Sequence, residues 1–155
     1  MRRLINQFKE PIYKDDLKRV LLYCAISSAL FGVLAGALQF FAIMTAGLGF
    51  SIVIYMIAYM IGKELRDRVF TYHILYSVLG VIFFFVGCYF YSVSLEAFFS
   101  RDLLNAFSFE AYICNVLGFL NFKSYSGLGI INNILDIIIM CFCVATIWKM
   151  STYRK

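Results

Sequence analysis

Charged residues are scarce in this chain: Asp, Glu, Lys and Arg together make up 15% of its 155 residues. A soluble domain is about one-quarter charged and about half apolar. Here 63% of the residues are hydrophobic and the mean hydropathy is +0.83. A soluble fold of this length would leave about 30% of the surface of the unfolded chain in water, and so few charges could not cover it. Intrinsic disorder is also excluded, because it requires low hydrophobicity. The composition therefore predicts an integral membrane protein.

Residues that commonly mark catalytic and metal sites are also rare. The chain has one histidine, His73, and its five cysteines form neither a CxxC motif nor the spacing of zinc ligands. No phosphate-binding loop and no paired nucleophile and base are visible. We therefore expect no metal, no cofactor and no enzymatic activity. Attraction to the anionic inner leaflet explains the net charge of +5, so we expect no nucleic acid among the partners.

Three long segments carry almost no charge. Residues 20–62 and 69–95 contain no Asp, Glu, Lys or Arg, and residues 124–148 contain only Asp136. A transmembrane helix needs about 20 apolar residues, so the first segment fits two helices joined by a hairpin at Gly47 and Gly49. Each of the other segments fits one helix. We predict an all-α integral membrane protein that forms a single domain, residues 1–155. Its four transmembrane helices are expected at about 20–43, 48–62, 70–94 and 129–148.

The basic residues predict how these helices are oriented. Of the 14 Lys and Arg residues, only Arg101 and Lys123 lie between the third and fourth predicted helices. Basic residues in short loops stay on the cytoplasmic side. The sequence therefore predicts a multi-pass protein of the cell membrane with both termini in the cytoplasm. This orientation requires an even number of transmembrane helices, in agreement with four.

Two segments outside the predicted transmembrane helices are amphipathic. Residues 1–19 place apolar side chains among basic ones, and their acidic residues are not typical of a signal peptide. We expect these residues to form a cytoplasmic arm on the inner leaflet. Residues 96–123 repeat apolar side chains at helical spacing between polar interruptions, so we expect an outer interfacial helix or a helical cap on the bundle. The apolar positions are Phe99, Leu103, Phe107, Tyr112, Val116 and Leu120.

Asp136 is the only carboxylate deep inside a predicted transmembrane helix, and it is our first candidate for a functional residue. An ionisable group in a membrane normally faces a partner or water, and often marks a substrate or ion path. Asn132 and Asn133 lie about one turn away, and Gln39 or a tyrosine of the third helix such as Tyr89 is the expected partner. Two roles stay open: a proton or cation site, or a protonated carboxyl that links helices through hydrogen bonds.

Ser28, Gly32 and Gly36 repeat a small residue every four positions in the first predicted helix. This spacing lets two helix backbones approach closely. Within the chain, the expected partner is the second or the fourth helix. The alternative is a contact between two copies of the chain.

These features predict a small non-enzymatic subunit of a homo-oligomeric or larger membrane assembly, with the lipid bilayer and itself or another membrane protein as partners. The alternative is a transporter or pore in which Asp136 lines the path, and a third possibility is a lipid-modifying enzyme that uses the region of His73. A pore predicts polar side chains on the axis of an oligomer. A structural subunit predicts Asp136 enclosed within the bundle or against another chain. An enzyme predicts a cleft beside His73 that is open to lipid headgroups.

Overall fold

The computed structural model describes residues 13–46, 52–69, 73–100, 107–110, 112 and 127–152. These residues contain four long helices: α1 (Lys14–Ala46), α2 (Ile52–Arg68), α3 (Ile74–Ser100) and α4 (Gly127–Thr152). The prediction of an all-helical chain with four helices is confirmed for the described residues. Helices α1, α3 and α4 are long and apolar enough to cross a membrane, whereas α2 has 17 residues and ends in charged ones.

The helices extend beyond the apolar segments that predicted them. Helix α1 begins at Lys14 rather than near residue 20, because Asp15 and Asp16 in its first turn interact favourably with the positive end of the helix dipole. Helix α2 continues to Arg68 rather than ending near residue 62. Glu64 and Arg68, one turn apart, form an ion pair with 3.4 Å between Oε2 and Nε. Hydropathy thus located the apolar part of each helix but not its charged ends.

Helices α1 and α3 make the most extensive contact in the bundle. A Cβ atom added at Gly32 would overlap the carbonyl oxygen of Gly87, and one added at Gly36 would lie 2.6 Å from the carbonyl oxygen of Tyr91. The partner of this small-residue stripe is therefore the third helix, whereas the sequence pointed to the second or fourth. The third helix takes this place because Gly87 also lacks a side chain and lets the backbones approach. The numbering rises together along both helices, so α1 and α3 are parallel.

Helices α2 and α4 run in the opposite direction to α3. Their contacts with α3 pair high residue numbers with low ones: Leu65 with Gly80, Ile57 with Gly87, Ser151 with Ser77, and Ile147 with Gly80. The start of α1 and the end of α4 therefore lie at the same end of the bundle. We call it the basic end, because every Lys and Arg of the described residues lies toward it. The opposite end is the distal end.

The middle of the bundle is a closed apolar core, but the four helices contribute to it unequally. Ile57, Ile61 and Phe84 are at most 1% exposed. In the most apolar 18-residue stretch of each helix, 50% of the residues are buried in α3 and 33% in α1, but only 11% in α4. Most of the apolar surface of α4 therefore faces away from the bundle.

Candidate functional site

Several buried polar side chains lie in the distal half of the bundle, whereas Asp16, His73 and Ser77 are buried toward the basic end. Helix α3 contributes Tyr91, Ser92 and Ser94, which are 5%, 0% and 7% exposed, and α1 contributes Gln39, which is 4% exposed. Helix α4 contributes Asp136, which is half-buried. We call these five residues the distal polar cluster. Hydrogen-bonding groups at this depth need partners within the protein, because lipid tails offer none.

Asp136 faces the bundle rather than the surface of α4. It lies two turns before Cys143 and three turns before Ile147 on the same side of the helix, and both of those residues are fully buried. Its carboxyl group lies within electrostatic range of the Tyr91 hydroxyl on α3. At 1.5 Å per residue, Asp136 and Tyr91 both lie ~14 Å from the distal ends of their helices. Tyr91 on α3 and Asp136 on α4 thus lie at the same depth on neighbouring helices.

The tyrosine beside Asp136 is Tyr91, whereas the sequence suggested Tyr89. Two residues apart on a helix point to nearly opposite sides, so the two tyrosines reach different neighbours. The Tyr89 hydroxyl donates a hydrogen bond of 3.0 Å to the carbonyl oxygen of Phe107. Tyr89 therefore holds the segment that follows α3, while Tyr91 faces α4.

The remaining polar candidates near Asp136 have different positions. Gln39 is buried on α1, one turn beyond Gly36, where α1 packs against α3. Asn132 and Asn133 belong to α4, but their side chains lie outside the described residues. Helix α3 thus stands between Gln39 on one side and Asp136 on the other.

The stripe of Ser28, Gly32 and Gly36 lies inside the contact between α1 and α3. All three residues are buried, so a second copy of the chain has no access to them. Ser94 reinforces this contact by donating a hydrogen bond of 3.0 Å from Oγ to the carbonyl oxygen of Val33. The stripe therefore serves close packing within one chain.

Aromatic rings close the distal end of α3. The ring centroids of Tyr89 and Tyr112 are 5.8 Å apart, and Tyr112 is 7% exposed. Burial, together with a smaller electrostatic effect of Cys88, raises the pKa of Tyr112 to about 12. The described part of the predicted outer segment thus packs on the bundle through Tyr112. The rest of residues 101–126 lies outside the described residues, as do residues 1–12 of the predicted arm and the hairpin at Gly47 and Gly49. Residues 14–19, which the sequence assigned to the arm, belong to α1 instead.

His73 caps the start of α3. Its Nδ1 accepts a hydrogen bond of 3.0 Å from the backbone N–H of Leu75, and the residue is 8% exposed. The first amide groups of a helix have no partner within the helix, so a side-chain acceptor at this position stabilises the helix. Because the Nδ1 lone pair is used in this way, the geometry gives His73 a structural role.

The chemistry available at the depth of the distal polar cluster is that of the Asp136 carboxyl group facing α3, since Gln39 and Ser94 lie on the opposite side of α3, against α1. Such a group can hold a proton or form hydrogen bonds between helices. Within the described residues, no group of three or more His, Cys, Asp or Glu could hold a metal ion.

Sequence reasoning missed three members of this cluster, Tyr91, Ser92 and Ser94. Hydropathy averages them with the strongly apolar residues around them and hides their polar groups. A count of hydrogen-bonding side chains along α3 would have found them, since they lie within four consecutive positions.

Comparison of the chain with protein-family models, with curated proteins and with solved structures found no match.

Proposed function

We propose that this protein is a non-enzymatic subunit of a membrane assembly, formed when α4 packs against α4 of a second copy. The observation that carries this proposal is the outward face of α4. Its apolar side chains are exposed, and beside them runs a groove of about 580 Å³. We call it the α4 groove. The residues that line it are Met140, Cys141, Val144, Ala145, Trp148 and Lys149.

The α4 groove combines small and large side chains on one helix face. Cys141 and Ala145 are one turn apart and both exposed, and small residues at this spacing let a second helix approach closely. Met140, Val144 and Trp148 form a ridge beside them at the same spacing. Two copies in one membrane have the same direction, so a twofold axis sets the ridge of each copy against the small residues of the other.

Charge also favours a second copy as the occupant. Asp136 is turned toward α3, so the outward face of α4 carries no charged side chain between Leu135 and Trp148. Lys149 follows at the basic end, where headgroups and water can solvate it. Two such faces meet without an unpaired charge. A partner with a charge inside its transmembrane helix would find no counter-charge on this face.

We extend the proposal to the topology of the chain in the cell membrane. Helix α2 serves as the fourth transmembrane helix. Its 17 residues rise ~26 Å, of which the apolar residues 52–62 account for ~16 Å. Its charged end therefore lies among the headgroups, and the bilayer thins locally around this short helix. Since α1 and α3 are parallel, the chain must return between them, and α2 runs back alongside α3. The basic end, with both termini, lies in the cytoplasm. Residues 96–123 form an amphipathic segment on the outer side.

The alternative functions find less support in the geometry. A path through one chain would have to pass the fully buried Ile57, Ile61 and Phe84. A pore on the axis of an α4 dimer would be lined by apolar side chains, because Asp136 faces the bundle. An enzyme using His73 as a base would need a ring nitrogen free to accept a proton, whereas Nδ1 accepts the Leu75 N–H and the proton of the neutral ring is then on Nε2.

Cys141 allows a direct test, because it is exposed within the α4 groove. The other four cysteines are replaced by alanine, and membranes that contain this variant are oxidised with copper phenanthroline. We expect a disulfide-linked dimer on a non-reducing gel. A control variant carries its only cysteine at Ala25, which is exposed on α1, and should stay monomeric.

A second pair of variants tests the shape of the groove. Ala145→Phe fills the groove and should abolish the Cys141 crosslink, whereas Ala25→Phe adds the same ring on α1 and should leave it intact. If Cys141 forms no crosslink, or crosslinks only to a different protein, self-association through α4 is wrong.

A further inference from the structure

An arginine at the basic end of the bundle is held flat against a tyrosine. The Arg68 Cζ atom lies 4.0 Å from the centroid of the Tyr23 ring. The Nε atom of the same side chain lies 3.4 Å from Glu64 Oε2. The ring supports one face of the guanidinium and the carboxylate holds one edge, so the orientation of the group is fixed in advance.

The other edge of the Arg68 guanidinium is available to a ligand. No contact within the described residues engages its terminal Nη atoms, and the side chain is 42% exposed. These two amino groups present parallel N–H donors, the arrangement that binds two oxygens of one phosphate. A lysine could not offer this fork, because its ammonium is a single point of charge.

A second arginine and an apolar track lie next to the same ring. Arg19 is exposed and one turn before Tyr23, so both side chains lie on one face of α1. Ile26 and Leu30 continue this face toward the middle of the bundle and are 56% and 51% exposed. The surface is therefore positive at the membrane interface and apolar below it.

We propose that Arg68, Arg19 and Tyr23 bind the phosphate of an anionic phospholipid whose acyl chain lies along Ile26 and Leu30. Glu64 offsets part of the charge of Arg68, and Asp15 lies one turn before Arg19 on the same face, so it is the N–H fork of Arg68 rather than a net charge that matches a phosphodiester. The apolar track favours a lipid over soluble phosphate, because only a lipid has acyl chains to cover it. This site does not overlap the α4 groove, because it uses side chains of α1 and α2, whereas the groove is formed by α4.

The test measures which lipids stay bound to the full chain. Purified protein is equilibrated with mixed micelles of phosphatidylcholine and phosphatidylglycerol, and the retained lipids are counted by native mass spectrometry. We expect the parent to retain phosphatidylglycerol preferentially. Arg68→Gln should lower this retention about tenfold, as expected for the loss of a charged hydrogen-bonded pair. Arg68→Lys keeps the charge but not the fork, and should lower it as well.

Matched controls separate a specific site from a general positive field. Lys63→Gln removes the same charge from an exposed position on α2 and should leave retention unchanged. Tyr23→Phe keeps the ring and should bind normally, whereas Tyr23→Leu should bind less. Arg19→Gln provides an independent variant at the site should Arg68→Gln fail to fold.

Three results would overturn the proposal. The first is normal retention in Arg68→Gln or Arg68→Lys. The second is an equal loss in Lys63→Gln, which would indicate only nonspecific attraction. The third is displacement of phosphatidylglycerol by inorganic phosphate at low concentration, which would identify a site for a soluble anion.

Discussion

The closest helix contact in the bundle can be tested by adding a single methyl group at Gly36. In Gly36→Ala the new Cβ would lie 2.6 Å from the carbonyl oxygen of Tyr91 and 2.7 Å from the Cβ of Ser94. The first of these neighbours is backbone and cannot rotate away, so α1 and α3 must separate. We therefore expect Gly36→Ala to weaken the contact on which the bundle depends most.

The size of the effect follows from three contributions. Overpacking of a tight contact costs about 1–3 kcal/mol. Separation of the helices also stretches the hydrogen bond from Ser94 to Val33, and such bonds are worth about 0.6 kcal/mol between membrane helices. Alanine recovers about 1 kcal/mol through its higher helix propensity. Together these contributions give a net loss of about 0.6–2.6 kcal/mol in the free energy of unfolding.

The buried cysteines allow this loss to be measured. Cys24, Cys88 and Cys143 are at most 1% exposed, so a thiol-reactive fluorogenic dye labels them only when the bundle opens. Cys114 and the exposed Cys141 are replaced by serine to remove background labelling. The temperature at which half of the buried cysteines are labelled should fall by several degrees in Gly36→Ala, since each kcal/mol of lost stability corresponds to about 2–4 °C for a chain of this length.

Gly62→Ala is the matched control, because it makes the same change in a helix with different neighbours. The added Cβ would lie 3.1 Å from Sδ of Met150, which can rotate aside, and 3.2 Å from Cβ of Met150, which needs to shift by only a few tenths of an ångström. We expect Gly62→Ala to be neutral or slightly stabilising. If Gly36→Ala is as stable as the parent, or if Gly62→Ala loses more, the packing of α1 on α3 is not as close as the structure indicates.

Three further predictions concern the carboxylate, the topology and the distal tyrosine. Asp136→Asn should assemble normally in the Cys141 crosslinking assay, whereas Asp136→Leu should lose about 1–3 kcal/mol in the free energy of unfolding, because the polar groups that interact with the Asp136 carboxyl would be left unpaired. An Asn variant that assembles but loses an ion or proton flux would support the transporter instead. A reporter fused after Lys155 should be cytoplasmic and one inserted at Asn105 external, and a cytoplasmic signal at Asn105 would rule out four transmembrane helices. The raised pKa of Tyr112 means that the folded state favours the neutral phenol, so its contribution to stability is full below pH 10 and lost between pH 10 and about 12. The temperature at which half of the buried cysteines are labelled should therefore fall more steeply above pH 10 in the parent than in Tyr112→Phe. If this temperature has the same pH dependence in both proteins, the phenol of Tyr112 is not buried.

The sequence alone determined the class of the protein and the number of its helices. Runs of apolar residues without charge exclude a soluble fold, and their length sets how many helices they form. The absence of charge and the length of an apolar segment are both local signals, because the hydropathy of a residue does not depend on its partners in the fold. The unusual position of Asp136 was visible for the same reason. The ends of the helices were not, because Asp15 and Asp16 favour the start of α1 through the helix dipole and the Glu64–Arg68 ion pair supports the end of α2, and neither effect appears in hydropathy.

Only the tertiary structure decided which faces of the helices meet. The spacing of Gly32 and Gly36 predicts a close contact but names no partner, since any helix with a matching small residue would fit. Gly87 on α3 provides that match, and the register of α3 against α4, seen in the pairs Ser77–Ser151 and Gly80–Ile147, sets the common depth of Tyr91 and Asp136. Arg68 reaches Tyr23 in the same way, because α2 returns antiparallel beside α1. Contacts between residues far apart in the chain depend on helix direction and register, and one-dimensional patterns of hydropathy and charge do not contain either quantity.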